Sequence, residues 1–152
     1  MVISIIAVLS ALGLSALSSA SKGSRDTARK SDLLQYRVAL VQAKNDRGIY
    51  PWATGIVTGV GPTGAEAPCW NGSGAGVVPE YIKPNCVADM YHGKNSVFGQ
   101  PLMYTYIANS TSFGMCANLE RQNGRFRVTP TTADVELRPP NTNIAANCVP
   151  GS

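Results

Sequence analysis

The chain begins, from Met1 to Arg47, with the sequence MVISIIAVLSALGLSALSSASKGSRDTARKSDLLQYRVALVQAKNDR. The first 21 residues carry no charge, whereas charges of both signs recur through the rest of this stretch. The stretch contains no proline, and only Gly13 and Gly23 disfavour a helix. It therefore predicts one α-helix of about 70 Å, at 1.5 Å per residue, with an apolar first half and a polar second half.

The second half of this helix, residues 22–47, is amphipathic. Its apolar side chains recur at helical spacing at Leu33, Tyr36 and Leu40, with Val41 beside them. An amphipathic helix buries its apolar face against another element. These four residues are therefore predicted to pack against a sheet.

The helix is predicted to end near Arg47. Lys44 and Arg47 lie in its last turn, where they complement the helix dipole. Gly48 can adopt the left-handed conformation of a C-cap, and Pro51 prevents the helix from continuing.

A small antiparallel sheet is predicted over residues 101–138. Three segments are rich in strand-forming residues: Leu102–Ile107, Phe113–Leu119 and Arg125–Val128. Asn123-Gly124, between the last two, is typical of a two-residue hairpin turn. We expect a meander of at least three strands whose inner face covers the apolar stripe of the helix.

The remaining segments are predicted to be irregular. Residues 51–100 form a long glycine-rich loop, and residues 139–152, rich in proline and asparagine, form a surface tail. A chain of 152 residues holds one globular domain at most. The fold class is therefore α+β, with a membrane-length segment at residues 1–21 and a globular head at residues 22–152.

Residues 1–21 are long enough to span a bilayer, and they admit three interpretations. They could be a cleaved secretory signal, an ordinary membrane anchor, or a helix that packs against copies of itself, because small residues such as Ser10 and Gly13 allow close approach. No Lys or Arg precedes the apolar run, and the polar side continues as helix. Both observations disfavour the secretory signal.

The sequence offers little that points to an enzyme. It contains no phosphate-binding loop, no Gly-x-Ser-x-Gly and a single histidine, His92, that lies near no cysteine cluster. We therefore expect no catalytic residue, no metal and no cofactor. Arg121, Arg125 and Arg127 form a small basic cluster that could contact nucleic acid, although the net charge of +4 favours simple solvation.

The sequence after the apolar run, RDTARKSDLLQYRVALVQAKNDRGIYP, resembles the N-terminal helix of type IV pilins and of the related pseudopilins of type II secretion. Ten positions match the family pattern: Arg25, Asp26, Arg29, Lys30, Ser31, Asp32, Leu33, Gly48, Tyr50 and Pro51. Two weaker resemblances follow in the family's order, at Val78–Ile82 and at Met115–Glu120.

The resemblance implies the pilin fold and a structural function. Subunits of that family wait in the inner membrane and are lifted out by a platform and a motor ATPase, after a prepilin peptidase has processed them. Their apolar helices then form the core of a surface filament that serves adhesion, motility or DNA uptake. The corresponding residues here are Val2, Ile3, Ile5, Ile6, Val8, Leu9, Leu12, Gly13, Leu14 and Leu17.

The resemblance leaves two alternatives to a major pilin. The first is a pseudopilin, which builds a short piston in a secretion system. The second is a monomeric membrane-anchored binding module whose helix never assembles. The family's basic leader, cleavage glycine and early glutamate have no counterpart in the sequence, so we expect them just upstream of Met1.

The four cysteines are predicted to form disulfides, as is usual in a small exported domain. Three pairings are possible. We favour Cys69–Cys86, which closes the glycine-rich loop, together with Cys116–Cys148, which joins the tail to a strand and resembles the disulfide-bounded C-terminal region of many pilins.

Overall fold

A computed structural model describes residues 2–50, 56–58, 89–90, 94–99, 102–137 and 148, apart from the side chains of residues 2–16, 56–58 and 137. One helix, α1, comprises Val2–Arg47. Five strands follow it: β1 (Ile56–Thr58), β2 (Tyr104–Ala108), β3 (Phe113–Asn118), β4 (Gly124–Val128) and β5 (Ala133–Leu137). The predicted α+β class is confirmed.

Helix α1 runs without interruption past Gly13 and Gly23 and ends where the sequence predicts. The amide of Gly48 donates to the carbonyl of Lys44 at 2.7 Å, and Gly48 has a φ of 80°. This is the left-handed C-cap that satisfies one of the last carbonyls of the helix. Glycine is needed at this position because a Cβ disfavours positive φ.

The five strands form one antiparallel sheet in the order β1-β2-β3-β4-β5. Two of these strands were not expected. Strand β1 lies within the predicted loop 51–100, where a run of three β-branched residues is too short to stand out among glycines. Strand β5 follows a clear alternation of apolar and charged residues, ADVEL, which was a usable strand signal.

The Asn123-Gly124 hairpin prediction is wrong. Gly124 begins β4, and the chain leaves β3 after Asn118, so that five residues separate the two strands. The positive φ that a type I′ turn requires is not found at Gly124. Instead, Gly124 faces β5, where a Cβ would lie 3.0 Å from the carbonyl oxygen of Glu136. The glycine serves a close backbone approach, and the carboxylate of Asp26 holds the loop before it.

The core lies between α1 and one face of the sheet. Leu33, Tyr36 and Leu40 are fully buried there, and Val41 packs at the edge, as the amphipathic pattern predicts. The sheet supplies alternate residues of β2, β3 and β4 to this face: Tyr104, Tyr106, Ala108, Phe113, Met115, Ala117, Phe126 and Val128. Tyr36 meets Tyr104 edge-on, with ring centroids 6.4 Å apart.

The opposite face of the sheet carries the predicted disulfide. Cys116 of β3 is bonded to Cys148, and both side chains are buried. The bond joins residues 32 positions apart and fixes one point of the C-terminal tail to the sheet. The other predicted pair, Cys69–Cys86, lies outside the described residues.

Replacing Cys116 and Cys148 together with serine should lower the free energy of unfolding by about 3 to 4 kcal/mol, because the unfolded chain gains the freedom of an open loop. Denaturant unfolding of the oxidised protein measures the difference. In the presence of a reductant, the wild type should come close to the variant measured under the same reducing conditions. An equal loss in both proteins on reduction would contradict the assignment.

Candidate functional site: the junction between helix and head

Helix α1 changes environment along its length. Leu17 is 67% exposed, and the side chains from Ser18 to Ser21 are exposed as well. Asp26 is the first buried residue among the helix side chains that the structure describes. The helix continues for about 36 Å on the N-terminal side of Asp26, at 1.5 Å per residue. The junction at residues 25–32 therefore joins this N-terminal part to the head.

Arg29 is the centre of the junction, and its side chain is only 3% exposed. Its guanidinium makes a bidentate pair with Asp89, at 2.6 Å from Nε to Oδ2 and 3.1 Å from Nη2 to Oδ1. It also contacts Asp26 Oδ1 at 2.9 Å and Glu120 Oε1 at 2.7 Å. A buried charge is tolerated only when it is paired and hydrogen-bonded, and here one guanidinium meets three carboxylates.

Two of these carboxylates have further partners: Asp26 meets backbone amides, and Glu120 meets a second arginine. Asp26 accepts hydrogen bonds from the amides of Glu120 and Arg121, both at 2.9 Å. Arg25 donates to both oxygens of Glu120, at 2.9 and 2.7 Å. These contacts fix the loop between β3 and β4 to the helix. They explain why that loop is long and docked instead of a tight hairpin.

The charges of the junction shift the pKa values of its groups. Burial alone would lower the pKa of Arg29, but the hydrogen bonds to Asp89 and Glu120 raise it above its ordinary value. The hydrogen bonds from Arg25 hold the pKa of Glu120 below its usual range, against the opposing effect of burial. Both side chains are therefore charged at neutral pH.

A second polar contact crosses between helix and sheet next to this network. The hydroxyl of Tyr104 donates to Asp32 Oδ2 at 2.6 Å. Burial raises the pKa of Asp32, and the hydrogen bond from Tyr104 opposes the rise. Burial and the same hydrogen bond raise the pKa of Tyr104. Asp32 thus places β2 against the helix one turn above Arg29.

The three arginines of the predicted basic cluster lie in different environments. Arg125 and Arg127 lie opposite Glu136 and Asp134 of β5, and each contacts the facing carboxylate. Arg127 also lies 3.0 Å from Glu136. Only Arg121 of the three is exposed. Arg125 and Arg127 therefore stabilise the pairing of β4 with β5 through cross-strand ion pairs.

The predicted filament-core residues Val2, Ile3, Ile5, Ile6, Val8, Leu9, Leu12, Gly13 and Leu14 have side chains outside the described set. Leu17, the last of that group, is exposed. Within the part of the chain that the structure describes, no helix is both long enough and apolar enough to cross a membrane. Over the same residues, no cluster of acidic, cysteine and histidine side chains could hold a metal ion.

Comparison of the chain with protein-family models, with curated proteins and with solved structures finds no match. The resemblance to pilins therefore remains a prediction that rests on the residues quoted above.

The sequence motif contains the helix residues of the junction, but it does not indicate their partners in the head. Arg25, Asp26, Arg29 and Asp32 belong to the family-like motif, but no role in the head was predicted for them. Their partners lie far along the chain: Asp89 is 60 residues from Arg29, and Glu120 is 95 from Arg25. Charged residues in the middle of a helix are usually solvated. One feature of the sequence could have indicated that Asp26 and Arg29 are buried: both lie on the same helix face as Leu33.

Replacing Arg29 with methionine should lower the free energy of unfolding of the head by about 3 to 5 kcal/mol, because three carboxylates lose their shared cation. Thermal or denaturant unfolding measures the loss. The matched control is Arg37→Met: among the residues that the structure describes, Arg37 donates only to the carbonyl of Pro130, at 2.9 and 3.3 Å, and it is partly exposed. That change should cost less than about 1.5 kcal/mol. Equal losses would contradict a central role for Arg29.

Glu120 should make the stability of the head depend on pH. A carboxyl whose folded pKa is lowered contributes stability that is complete above its unfolded pKa, about 4.3 for glutamate, and that is lost as pH falls through the lower folded value. Glu120→Gln should therefore be clearly less stable than wild type at pH 7. The difference should shrink below about pH 4. Unfolding curves at several pH values measure it, and a difference that does not vary with pH would refute the assignment.

Proposed function

We propose that this chain is a structural subunit of a type IV pilus, and most closely a major pilin, that polymerises through its N-terminal helix. The observation that carries the proposal is the single helix that continues about 36 Å beyond its first buried contact with the head. A monomeric globular domain gains no packing from such an extension. A subunit that inserts the extension into a shared bundle does.

The composition of the extension supports the same conclusion. Its first 21 residues are uncharged and combine large aliphatic residues with serine, glycine and alanine. Small residues let helices approach closely, and aliphatic residues gain from leaving water. Leu17, the most N-terminal residue of this segment whose side chain is described, faces solvent in the single chain. Sister helices would cover it in a filament.

The junction supports the same proposal, because a subunit of a filament under tension must hold its head to its helix. A force applied to the head reaches α1 through Arg29, which joins the helix to Asp89 and Glu120 by charge-assisted hydrogen bonds. The Cys116–Cys148 bond fixes the tail covalently to the sheet. The head is thus held to its own helix by contacts that do not depend on neighbouring subunits.

The partners and location follow from this proposal. The first partner is the chain itself, in a helical homopolymer on the bacterial cell surface. Before assembly, residues 1–21 hold the subunit in the inner membrane with the head outside the cytoplasm. An inner-membrane platform, a motor ATPase and a prepilin peptidase then process it and lift it out. Nucleic acid is a weaker candidate partner, because Arg125 and Arg127 are engaged with acidic residues.

Replacing Ile6 with aspartate should abolish filaments while the head stays folded, because an unpaired carboxylate in an apolar bundle is not compensated. Electron microscopy of material sheared from cells that express the chain detects the fibres, and thermal unfolding of the purified subunit reports on the head. Ile6→Leu is the control and should give normal fibres. Normal fibres from Ile6→Asp would overturn the core assignment.

The same microscopy separates the alternatives. Long, abundant fibres made of this chain support a major pilin. Short or absent fibres, together with a defect in protein secretion when the chain is deleted, would indicate a pseudopilin instead. A chain that remains monomeric in detergent and in cells, with neither fibres nor a secretion defect, would indicate an anchored binding module.

A further inference from the structure

A cleft runs between α1 and the loop that joins β3 to β4. Two adjoining cavities form it, and Gly23, Thr27 and Arg121 line both of them. The first cavity extends toward the N-terminus along Ala20, and the second extends in the other direction as far as Lys30. The cleft therefore covers about three turns of the helix, from the end of the uncharged segment to the junction.

Arg121 forms the wall of the cleft opposite the helix. Its backbone amide donates to Asp26, which fixes the loop at this point, whereas its side chain is exposed. The guanidinium lies against Gly23 of the helix, where a Cβ would be 3.6 Å from Nη1. Within the described part of the chain, no carboxylate pairs with this guanidinium. Its donors can therefore reach a ligand in the cleft.

Lys30 supplies a second cation, from the helix side of the cleft. Its side chain is half-buried, with Nζ 5.8 Å from the centre of the Phe126 ring. Among the described residues that line the cleft, Asp26 is the only acidic one. Asp26 is buried, and both of its oxygens accept hydrogen bonds. The accessible charge of the cleft is therefore positive, which suits an anion.

The cleft begins where the uncharged segment ends. Gly23 follows Ser21 by two residues, about 3 Å along the helix axis. The polar headgroup layer on each side of a bilayer is about 5 to 7 Å thick. When residues 1–21 occupy the hydrocarbon core, Gly23 and Arg121 lie within this layer. Lys30 is further along the helix, but helical side chains lean toward the N-terminus and bring its amine toward the same layer.

We propose that this cleft binds the phosphate group of an anionic phospholipid while the subunit waits in the membrane. The inference rests on the membrane-held stage of the proposed function. The planar guanidinium of Arg121 matches the oxygens of a phosphate, and Lys30 adds a point charge. The described residues of the cleft offer no accessible carboxylate to the ammonium group of a zwitterionic lipid. The cleft therefore selects a headgroup with a net negative charge, which holds the head at a defined depth against the membrane.

Native mass spectrometry of the full chain tests the site. The chain is purified in a neutral detergent and mixed with equal amounts of phosphatidylglycerol and phosphatidylcholine. We expect wild type to retain one phosphatidylglycerol molecule in preference. Lys30→Gln together with Arg121→Gln should weaken this retention about thirtyfold, because two cations near an anionic headgroup are lost. The backbone amide of Arg121, which binds Asp26, is unchanged by these substitutions.

Arg47→Gln is the matched control for charge. It removes the same charge from an exposed position about 36 Å from Gly23 along the helix, and it should retain the lipid as wild type does. A steric variant tests the cleft without changing a charge. Gly23→Leu places a side chain between the helix and Arg121 and should displace the lipid, whereas Ser24→Leu, at the next and exposed position, should not.

The outcomes separate the site from the proposed function. Equal retention of the two lipids by wild type, or undiminished retention by either cleft variant, overturns the site. If the charge variant does not fold, Gly23→Leu decides. Displacement of the lipid by inorganic phosphate at the same concentration overturns the lipid assignment in favour of a soluble anion.

Flotation of wild type with phosphatidylglycerol vesicles provides the remaining distinction. A chain that floats with the vesicles but selects no lipid refutes the cleft alone. A chain that does not float refutes the membrane-held stage, and the lipid site with it.

Discussion

The guanidinium of Arg29 is the group on which the join between helix and head depends. It is almost wholly buried, and it takes three carboxylates from three separate parts of the chain: Asp26 of the helix, Asp89 of the segment before the sheet, and Glu120 of the loop between β3 and β4. Burying a guanidinium is costly, and the hydrogen-bonded contacts with these carboxylates offset the loss of water. Each carboxylate reaches Arg29 only when its own segment is correctly placed. The ion pairs therefore favour one arrangement of the helix, the segment before the sheet and the β3–β4 loop.

Several features of the fold follow from that arrangement. The β3–β4 connection is long because the amides of Glu120 and Arg121 reach down to Asp26. Once the loop is docked there, α1 is held over β3 and β4, and its apolar stripe from Leu33 to Ala43 is aligned with the core face of the sheet. Val135 of β5, which pairs with Phe126, is partly exposed although it lies on the core face of the sheet.

In the proposed polymer, the head and the N-terminal part of α1 have separate physical roles. The head is stabilised by its own core, its ion pairs and the Cys116–Cys148 bond. The N-terminal part of α1 has an uncharged sequence and is followed by exposed residues from Leu17 to Ser21. In our proposal, assembly buries the second part and leaves the first unchanged. Stability of the subunit and assembly of the filament can then be altered separately by mutation.

Local properties of the chain were enough to predict the helix, its end at Arg47, its buried stripe and the positions of β2, β3 and β4. These features depend on side-chain periodicity and on backbone preferences within a few residues, as with the left-handed Gly48 that ends the helix. Tertiary structure alone decided the partners of Arg29, the docked β3–β4 loop, the pairing of Arg125 with Glu136, and the exposure of Val135. Each of these depends on groups that are distant in sequence, and a charged or apolar residue has no local sign of which distant group will approach it. Periodicity specifies the face that a residue occupies, and only packing specifies what lies against that face.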